Sequence, residues 1–250
     1  MDLFKDIVYV NKESATKTIK SFKKSWPIVF TGIIYTILNL VIYNLIGRLF
    51  VGPLYILSGI VVAIISSSFI SNYLYLLFNV INYDRITFQD FKDGFTYFIW
   101  KVYGIFFIGY LANFLLDIIY RTLGNMAIVL NIIWYLTLIV LMNPLPETIY
   151  IKSYSPWDSI VKTMEFMQEN WFNWLLPNVV FYGLLFITSG TVLMDIFNTH
   201  ISFNMAFNVK NVLVYFIGQI LFSITMIYRG HLYKLLSTST RRKRMFMNKF

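Results

Sequence analysis

One carboxylate, Glu147, directly follows two prolines at the end of a long apolar run, in the segment NPLPETIY at residues 143–150. Proline lacks a backbone N–H and interrupts helices, so we expect Pro144 and Pro146 to free backbone carbonyls close to the carboxylate. Transporters place such broken helices at their binding sites. Glu147 is therefore a candidate for solute binding or for catalysis on a lipid. The simpler alternative is that this segment only ends a helix at a membrane surface.

A second set of polar side chains is embedded in apolar runs and could line a polar path between helices. The candidate residues are Ser66, Ser67, Asn72 and Asn131. Ser67 also belongs to a ridge of small residues at four-residue spacing, from Gly59 to Ser71, which would let another helix approach closely. Close packing and interhelical hydrogen bonds are the simpler interpretation of the whole set.

Several kinds of reaction centre have no basis in the sequence. The chain contains no cysteine, which excludes disulfides, thiolate metal ligands and thiol nucleophiles. The two histidines, His200 and His231, are expected on opposite sides of a membrane and so cannot share a metal ion. No glycine-rich phosphate loop, HExxH motif or Ser/His/Asp set occurs. We therefore predict no enzymatic activity and no cofactor.

The composition indicates the class of protein that must position these residues. Apolar residues make up 58% of the 250 residues and charged residues only 13%, and the mean hydropathy is +0.64. Soluble domains average roughly 45–50% apolar and about 25% charged residues. Such a chain cannot hide its apolar side chains from water, so we predict an all-α integral membrane protein.

Six apolar runs are long enough to cross a bilayer, for which about 20 residues suffice. The predicted transmembrane helices are residues 27–47, 53–81, 102–120, 126–142, 175–197 and 212–228. They divide the chain into an N-terminal amphipathic segment (1–26), a six-span membrane domain (27–228) and a basic tail (229–250).

The distribution of Lys and Arg predicts the orientation, because positively charged loops stay in the cytoplasm. Eighteen of these residues fall on the face that carries both termini, and only Arg48, Arg121 and Lys210 fall on the other. We therefore predict a multi-pass protein of a bacterial cytoplasmic membrane, with both termini in the cytoplasm.

Amphipathic segments precede the first, third and fifth predicted spans, and each contains or ends at tryptophan. Trp26, Trp100, Trp171 and Trp174 are candidate anchors at the membrane interface, where tryptophan is enriched. We expect three helices that lie on the cytoplasmic surface. The spacing of 74 and 71 residues between Trp26, Trp100 and Trp171, with SATKT resembling SIVKT 145 residues later, suggests three pseudo-repeats of two spans each.

The net charge of +9 and the C-terminal STSTRRKRMFMNKF predict contact with anionic lipid headgroups rather than with nucleic acid. The same basic residues would also serve to fix the orientation of the protein. A membrane-protein partner or a second copy of the chain is a further possible partner.

The order of these features resembles a known group of proteins. IKSFKKSW before the first span, NPLPETIYIKSYSPWDSIVKTMEFMQENW after the fourth and YRGHLYKL after the sixth are similar to small, uncharacterised six-span bacterial membrane proteins. These are in turn similar to the membrane domain attached to some glycerophosphodiester phosphodiesterases. The resemblance implies no catalytic residue, because the soluble phosphodiesterase domain is absent.

Three functional hypotheses follow from the sequence. The first is a non-enzymatic membrane scaffold or accessory subunit, because buried charges are few and no reaction centre occurs. The second is a small permease with a polar path lined by Ser66, Ser67, Asn72 and Asn131. The third is a lipid-modifying enzyme that depends on Glu147.

Overall fold

The computed structural model of the chain describes residues 3–124, 126–201, 208–240 and 243–244, and within them all regular structure is helical. The α-helices are α1 (Leu3–Lys24), α2 (Thr31–Leu49), α3 (Tyr55–Tyr83), α4 (Phe88–Tyr97), α5 (Ile99–Leu123), α6 (Met126–Leu141), α7 (Leu145–Ile151), α8 (Pro156–Ser189) and α9 (Val209–Thr238). Short 3-10 helices precede α2 and α3. Six helical segments are long and apolar enough to cross a membrane, as expected of a multi-pass membrane protein.

Three helices form the centre of the bundle, and the others surround them. The central helices α3, α7 and α9 pack against one another, whereas α2, α5 and α8 lie outside them. The outermost helix, α6, packs mainly against α5 and α8. Asp6 in α1 pairs with Arg244, so both ends of the described chain lie at one end of the bundle. We call this end the terminal face and the opposite end the distal face.

Helix α1 packs along the terminal-face part of α9 through a stripe of small side chains. Every third or fourth residue of α1 is buried on this side, including Ser14, Thr18 and Ser21. Small residues allow the two helix backbones to approach closely. On another side of the chain, Ile19 and Trp26 remain more than half exposed and available to lipid. The N-terminal segment therefore has a polar packed face as well as the predicted apolar one.

The small polar ridge of α3 is covered by α4. The hydroxyl of Ser68 donates to the carbonyl of Phe95 at 2.8 Å, and the hydroxyl of Ser71 donates to the carbonyl of Gly94 at 2.7 Å. The side-chain amide of Asn72 donates to a third carbonyl of α4. The part of α3 around Ser71 is thus a helix-packing surface, whereas Gly59 at the other end of the ridge is exposed.

We expect Gly94→Ala to destabilise the protein by about 1–3 kcal/mol through overpacking. A Cβ atom at Gly94 would lie 3.1 and 3.2 Å from backbone atoms of Asn72, which cannot move without shifting α3. Gly109→Ala is the matched control, because its Cβ would meet no atom within 4 Å. That control should be neutral or stabilising by up to about 1 kcal/mol, because alanine favours helix. Thermal unfolding in detergent micelles would test the pair, and equal effects of both substitutions would contradict the packing argument.

The third predicted surface helix is not a separate element. Helix α8 runs without a break from the amphipathic segment into the fifth predicted span, since neither glycine nor proline occurs at their junction, and it continues past Pro177. The fifth span also ends earlier than predicted, at Ser189 rather than at residue 197. Gly190 ends it in the left-handed conformation (φ +67°) that glycine adopts without steric cost.

Helix α9 continues to Thr238 and is therefore longer at both ends than the predicted sixth span, residues 212–228. Arg229 does not end the helix, since its charge is paired inside the bundle. Of the predicted tail, Arg241, Arg242 and Lys249 lie outside the described residues. The predicted fourth span agrees with α6 to within one residue.

Candidate functional site

A break between α6 and α7 positions the central polar cluster. Helix α6 ends at Leu141 and α7 begins at Leu145, with Asn143 and Pro144 between them. Proline cannot donate the backbone hydrogen bond that would continue the helix. The carbonyl of Asn143 instead accepts a hydrogen bond of 2.6 Å from Nη2 of Arg229 in α9. The segment NPLPETIY therefore contains a backbone carbonyl, that of Asn143, which bonds to a side chain rather than continuing the helix.

Glu147 and Arg229 form a bidentate ion pair in the interior of the bundle. Nε of Arg229 donates to Oε1 of Glu147 at 2.7 Å, and Nη2 donates to Oε2 at 2.9 Å. The side chains are only 1% and 3% exposed, respectively. Bidentate pairing is the strongest arrangement of these two groups and fixes their relative orientation. The pair ties α7 to α9.

Two aromatic residues of α8 complete the surroundings of Arg229. Its Nη1 donates to the hydroxyl of Tyr182. Its guanidinium carbon lies 5.2 Å from the centre of the Trp174 ring, a distance at which the ring face attracts a cation. The indole Nε1 of Trp174 donates to Oδ1 of Asn143 at 2.8 Å. Every nitrogen of the guanidinium therefore has a partner.

A chain of hydroxyls extends the cluster towards the terminal face. The Thr148 hydroxyl lies 2.9 Å from the hydroxyl of Tyr233 and 2.9 Å from that of Thr163. These three residues belong to α7, α9 and α8, and each is buried. Buried hydroxyls are stable only when they are hydrogen-bonded, so this chain fixes how the three helices meet.

A small cavity of about 20 Å³ lies beside the ion pair. Its polar walls are Tyr73 of α3, Tyr182, Glu147 and Arg229, and residues 196–199 close another side. The hydroxyl of Tyr73 is buried and has no hydrogen-bond partner within the described part of the chain. A cavity of this volume holds about one water molecule and no larger solute.

The structure does not bring the predicted polar path together. Ser67 donates to the carbonyl of Ala63 within its own helix, and Ser66 is half-buried. Asn72 is enclosed between α4 and the Tyr35 hydroxyl. Asn131 is exposed on the outer helix α6. Three of these residues thus lie on α3 and the fourth on α6, and the described contacts do not join them into one path.

The tryptophans separate into two groups. Trp26, Trp100 and Trp171 are more than half exposed, and Trp171 is 55% exposed. Trp174 is 0% exposed, so its predicted role as an interfacial anchor is wrong. The ring packs against Phe166 and Tyr233 and supports Arg229. Trp174 is only three positions after Trp171, but α8 turns its side chain towards α9.

Sequence reasoning missed three members of the site, Arg229, Tyr182 and Tyr73. Arg229 was assigned to the basic cytoplasmic residues because it follows the sixth predicted span directly. The signal that could have identified it is the isolated carboxylate at Glu147, since a buried charge requires a partner of opposite sign. Nothing in the spacing of the two tyrosines distinguishes them from the many aromatic residues of the chain.

A second polar cluster joins α1, α9 and the turn between α3 and α4 at the terminal face. The Ser21 hydroxyl donates to Oδ1 of Asp84 at 2.6 Å and lies 2.9 Å from Nε2 of His231. Lys24 and Lys20 lie 3.5 and 3.9 Å from Oδ2 of Asp84. The hydrogen bond from Ser21, followed by the charges of Lys24 and Lys20, holds the pKa of Asp84 below its ordinary value.

We expect Ser21→Ala to raise the pKa of Asp84 and to lower the free energy of unfolding at neutral pH. A carboxyl group with a lowered folded-state pKa stabilises the protein above its unfolded pKa of about 3.9, and this contribution is lost as the pH falls. The thermal unfolding temperature of the wild type should therefore fall more steeply with acidification than that of the variant. Thr16→Ala is the control, because the Thr16 hydroxyl bonds only within α1. Parallel pH profiles for wild type and Ser21→Ala would contradict the prediction.

A wide cleft of about 800 Å³ opens at the terminal face. Its walls come from the first half of α8 and the last turns of α9, and the Asp6–Arg244 pair lies in its wall. Both nitrogens of this second bidentate pair lie 2.9 Å from the carboxylate, and both residues are buried. The rim carries charges of both signs, including Lys162 and Glu169.

Comparisons with known proteins give no family for this chain. No protein-family model, no curated protein and no solved structure matches it. The function is therefore argued from the residues of the site.

Proposed function

We propose that the protein is a non-enzymatic membrane scaffold or accessory subunit that binds other molecules at its terminal face. The observation that carries this proposal is the contrast between the two cavities. The cavity beside the central ion pair has a volume of about 20 Å³, whereas the cleft at the terminal face has about 800 Å³. Arg229 and Glu147 satisfy each other and leave no free charge for a solute. Space and exposed polar groups are available together at the terminal face.

We propose further that the terminal face lies in the cytoplasm of a bacterial cell, with the protein in the cytoplasmic membrane. The excess of Lys and Arg near both chain ends supports this orientation. Helix α1 exposes Lys5, Lys12, Lys20, Lys23 and Lys24. Each lysine close to an anionic membrane surface contributes about 1 kcal/mol of attraction, so anionic headgroups are the proposed lipid partners.

The arrangement of the helices supports three pseudo-repeats. The proposed units are α1 to α3, α4 to α7, and α8 to α9. In each case the amphipathic helix of one unit packs on the last helix of the preceding one: α4 on α3, α8 on α7, and α1 on α9. Ser14 and Thr18 in α1 correspond to Ser159 and Thr163 in α8, 145 residues later, and all four are buried. We also propose that the chain is similar to the membrane domain attached to some glycerophosphodiester phosphodiesterases.

Reconstitution of the purified protein in liposomes tests the scaffold proposal. We expect the terminal face of the protein to bind vesicles that contain anionic lipid. We also expect no saturable uptake of ions, sugars or amino acids into the liposomes, and no turnover of lipids in lipid extracts. Saturable uptake of any solute would contradict the proposal. Lipid turnover that is abolished by Glu147→Gln would contradict it in a different way, because it would make Glu147 a catalytic residue.

A small permease is the second candidate, and two observations favour it. Charged residues within membrane bundles are costly and commonly mark solute routes, and Glu147 and Arg229 are such residues. The break between α6 and α7 lies next to them, as broken helices do in transporters. If uptake occurs, Glu147→Gln should abolish it, whereas Glu169→Gln on the exposed cleft rim should not. Uptake that survives Glu147→Gln would exclude this site as the solute route.

A further inference from the structure

Residues 190–201, which follow α8, enter the bundle without forming a helix, and we call them the interior segment. A Cβ atom added at Gly218 of α9 would lie 2.7 Å from the Ile201 side chain and 2.8 Å from that of Ser189. Gly218 is nine residues from the start of α9 at Val209, which corresponds to a depth of about 14 Å. Both ends of the interior segment therefore lie well below the distal end of α9.

The middle of the interior segment reaches deeper still. Asn198 and Thr199 line the small cavity together with Met226 and Arg229 of α9. Met226 is eight residues beyond Gly218, or about 12 Å further along the helix. The Phe197 ring contacts that of Phe106 in α5 at 5.6 Å between ring centres. The segment thus descends from the level of Gly218 to the ion pair and returns.

At the start of the interior segment, the backbone N–H of Gly190 donates to the carbonyl of Phe186 in α8 at 2.8 Å. Among the described residues, none of residues 191–200 makes a backbone-to-backbone hydrogen bond. Side chains supply two further contacts to this backbone: the N–H of Ile201 donates to Oε1 of Gln219 at 3.2 Å, and the carbonyl of Asp195 accepts a hydrogen bond from the side-chain amide of Asn198. Irregular backbone at membrane depth is stable only where protein groups or water satisfy it. Most residues of the segment are half-buried or exposed, so their backbone is not sealed inside the bundle by other protein groups.

Tyr73 gives a second, independent indication of water at the lower end of the segment. Its side chain is fully enclosed, yet its hydroxyl has no partner in the described part of the chain. The adjoining cavity of about 20 Å³ accommodates one water molecule. A cation or an anion is a poor fit, because Glu147 and Arg229 neutralise each other and each occupies the polar atoms of the other.

We propose that the interior segment lines a water-filled inlet that opens at the distal face and ends at the ion pair, where one ordered water bonds to Tyr73. The inlet goes beyond the scaffold function and does not require that any solute crosses the membrane. Water would satisfy the Tyr73 hydroxyl together with those backbone groups of residues 191–200 that have no protein partner in the described part of the chain. Glu147 and Arg229 would close the inlet on the side of the terminal face.

The absence of cysteine in the natural sequence allows a direct test by single-cysteine substitution. A charged methanethiosulfonate reacts with thiolates, which form in water and not in hydrocarbon. Applied from the distal side of membranes, it should modify Thr199→Cys at least about tenfold faster than Ile187→Cys. Ile187 is the matched control, because it lies two residues before the end of α8 and is 79% exposed on an apolar surface. Asp195→Cys, on the exposed part of the segment, should react as well.

Equal and slow modification of Thr199→Cys and Ile187→Cys, with rapid modification of Asp195→Cys, would overturn the inlet. Faster modification of Thr199→Cys from the terminal side would overturn its direction.

Tyr73→Phe tests the ordered water separately. If water bonds to the hydroxyl, the variant should unfold at the same or a lower temperature than the wild type. A higher unfolding temperature would mean that the hydroxyl is dry, and would refute the water site. Solute flux, measured on proteoliposomes of the same variants, shows independently whether the protein also transports a solute.

Discussion

Arg229→Leu should lower the free energy of unfolding by about 3–5 kcal/mol, because it leaves the Glu147 carboxylate buried without a partner. The carboxylate would lose both hydrogen bonds of the bidentate pair, and the carbonyl of Asn143 would lose its donor. Three helices meet at this point, so we also expect the variant to be cleaved faster by protease in detergent. Thermal unfolding of purified protein in micelles gives the size of the effect.

The double substitution Glu147→Leu with Arg229→Leu is the matched control. Replacing both members of a buried pair by apolar residues is often neutral or stabilising, so the double variant should regain most of the loss. The coupling between the two sites, obtained from the double-mutant cycle, should be large because the side chains are in direct contact. Additive effects of the two single substitutions would show that the pair is not formed in the membrane.

Trp174→Ala should have an effect of similar size, about 3–5 kcal/mol, the usual cost of deleting a buried tryptophan. The substitution removes a fully enclosed ring that packs against Phe166 and Tyr233. It also removes the donor to the Asn143 side chain and the ring face beneath Arg229. The unfolding temperature and the intrinsic tryptophan fluorescence report on this change together.

Trp171→Ala provides the comparison within the same helix. Trp171 is more than half exposed, and surface substitutions usually change stability by no more than about 0.5 kcal/mol. Trp174→Phe should be intermediate, since it retains most of the apolar ring but loses the indole N–H. If Trp171→Ala proved as harmful as Trp174→Ala, the rotation of α8 described here would be incorrect.

The sequence predicts the membrane-crossing helices well, because their signal is the length and hydropathy of continuous segments. The fourth predicted span agrees with α6 for this reason. Glu147 is identifiable as a candidate site residue in the same way, since an isolated carboxylate after two prolines departs from its apolar surroundings. Such features are local and need no knowledge of how helices pack.

The remaining features depend on contacts between distant parts of the chain. Glu147 and Arg229 are 82 positions apart, and no local pattern joins them. The direction in which Trp174 points depends on the rotation of α8 against α9, which apolar periodicity alone does not determine in a helix that is apolar on most sides. The position of Asn131 on the outer helix α6 is a similar case, because its polar character gives no information on which helices α6 contacts.

The contact between Asp6 and Arg244 joins residues that are 238 positions apart, so it can form only after nearly the whole chain has been synthesised. At translation rates of about 5–20 residues per second, the aspartate emerges from the ribosome on the order of ten to fifty seconds before its arginine. During that interval, the first helix has no completed docking surface on the ninth. Maturation at this end of the molecule is consequently a late step that follows insertion of the final hydrophobic hairpin.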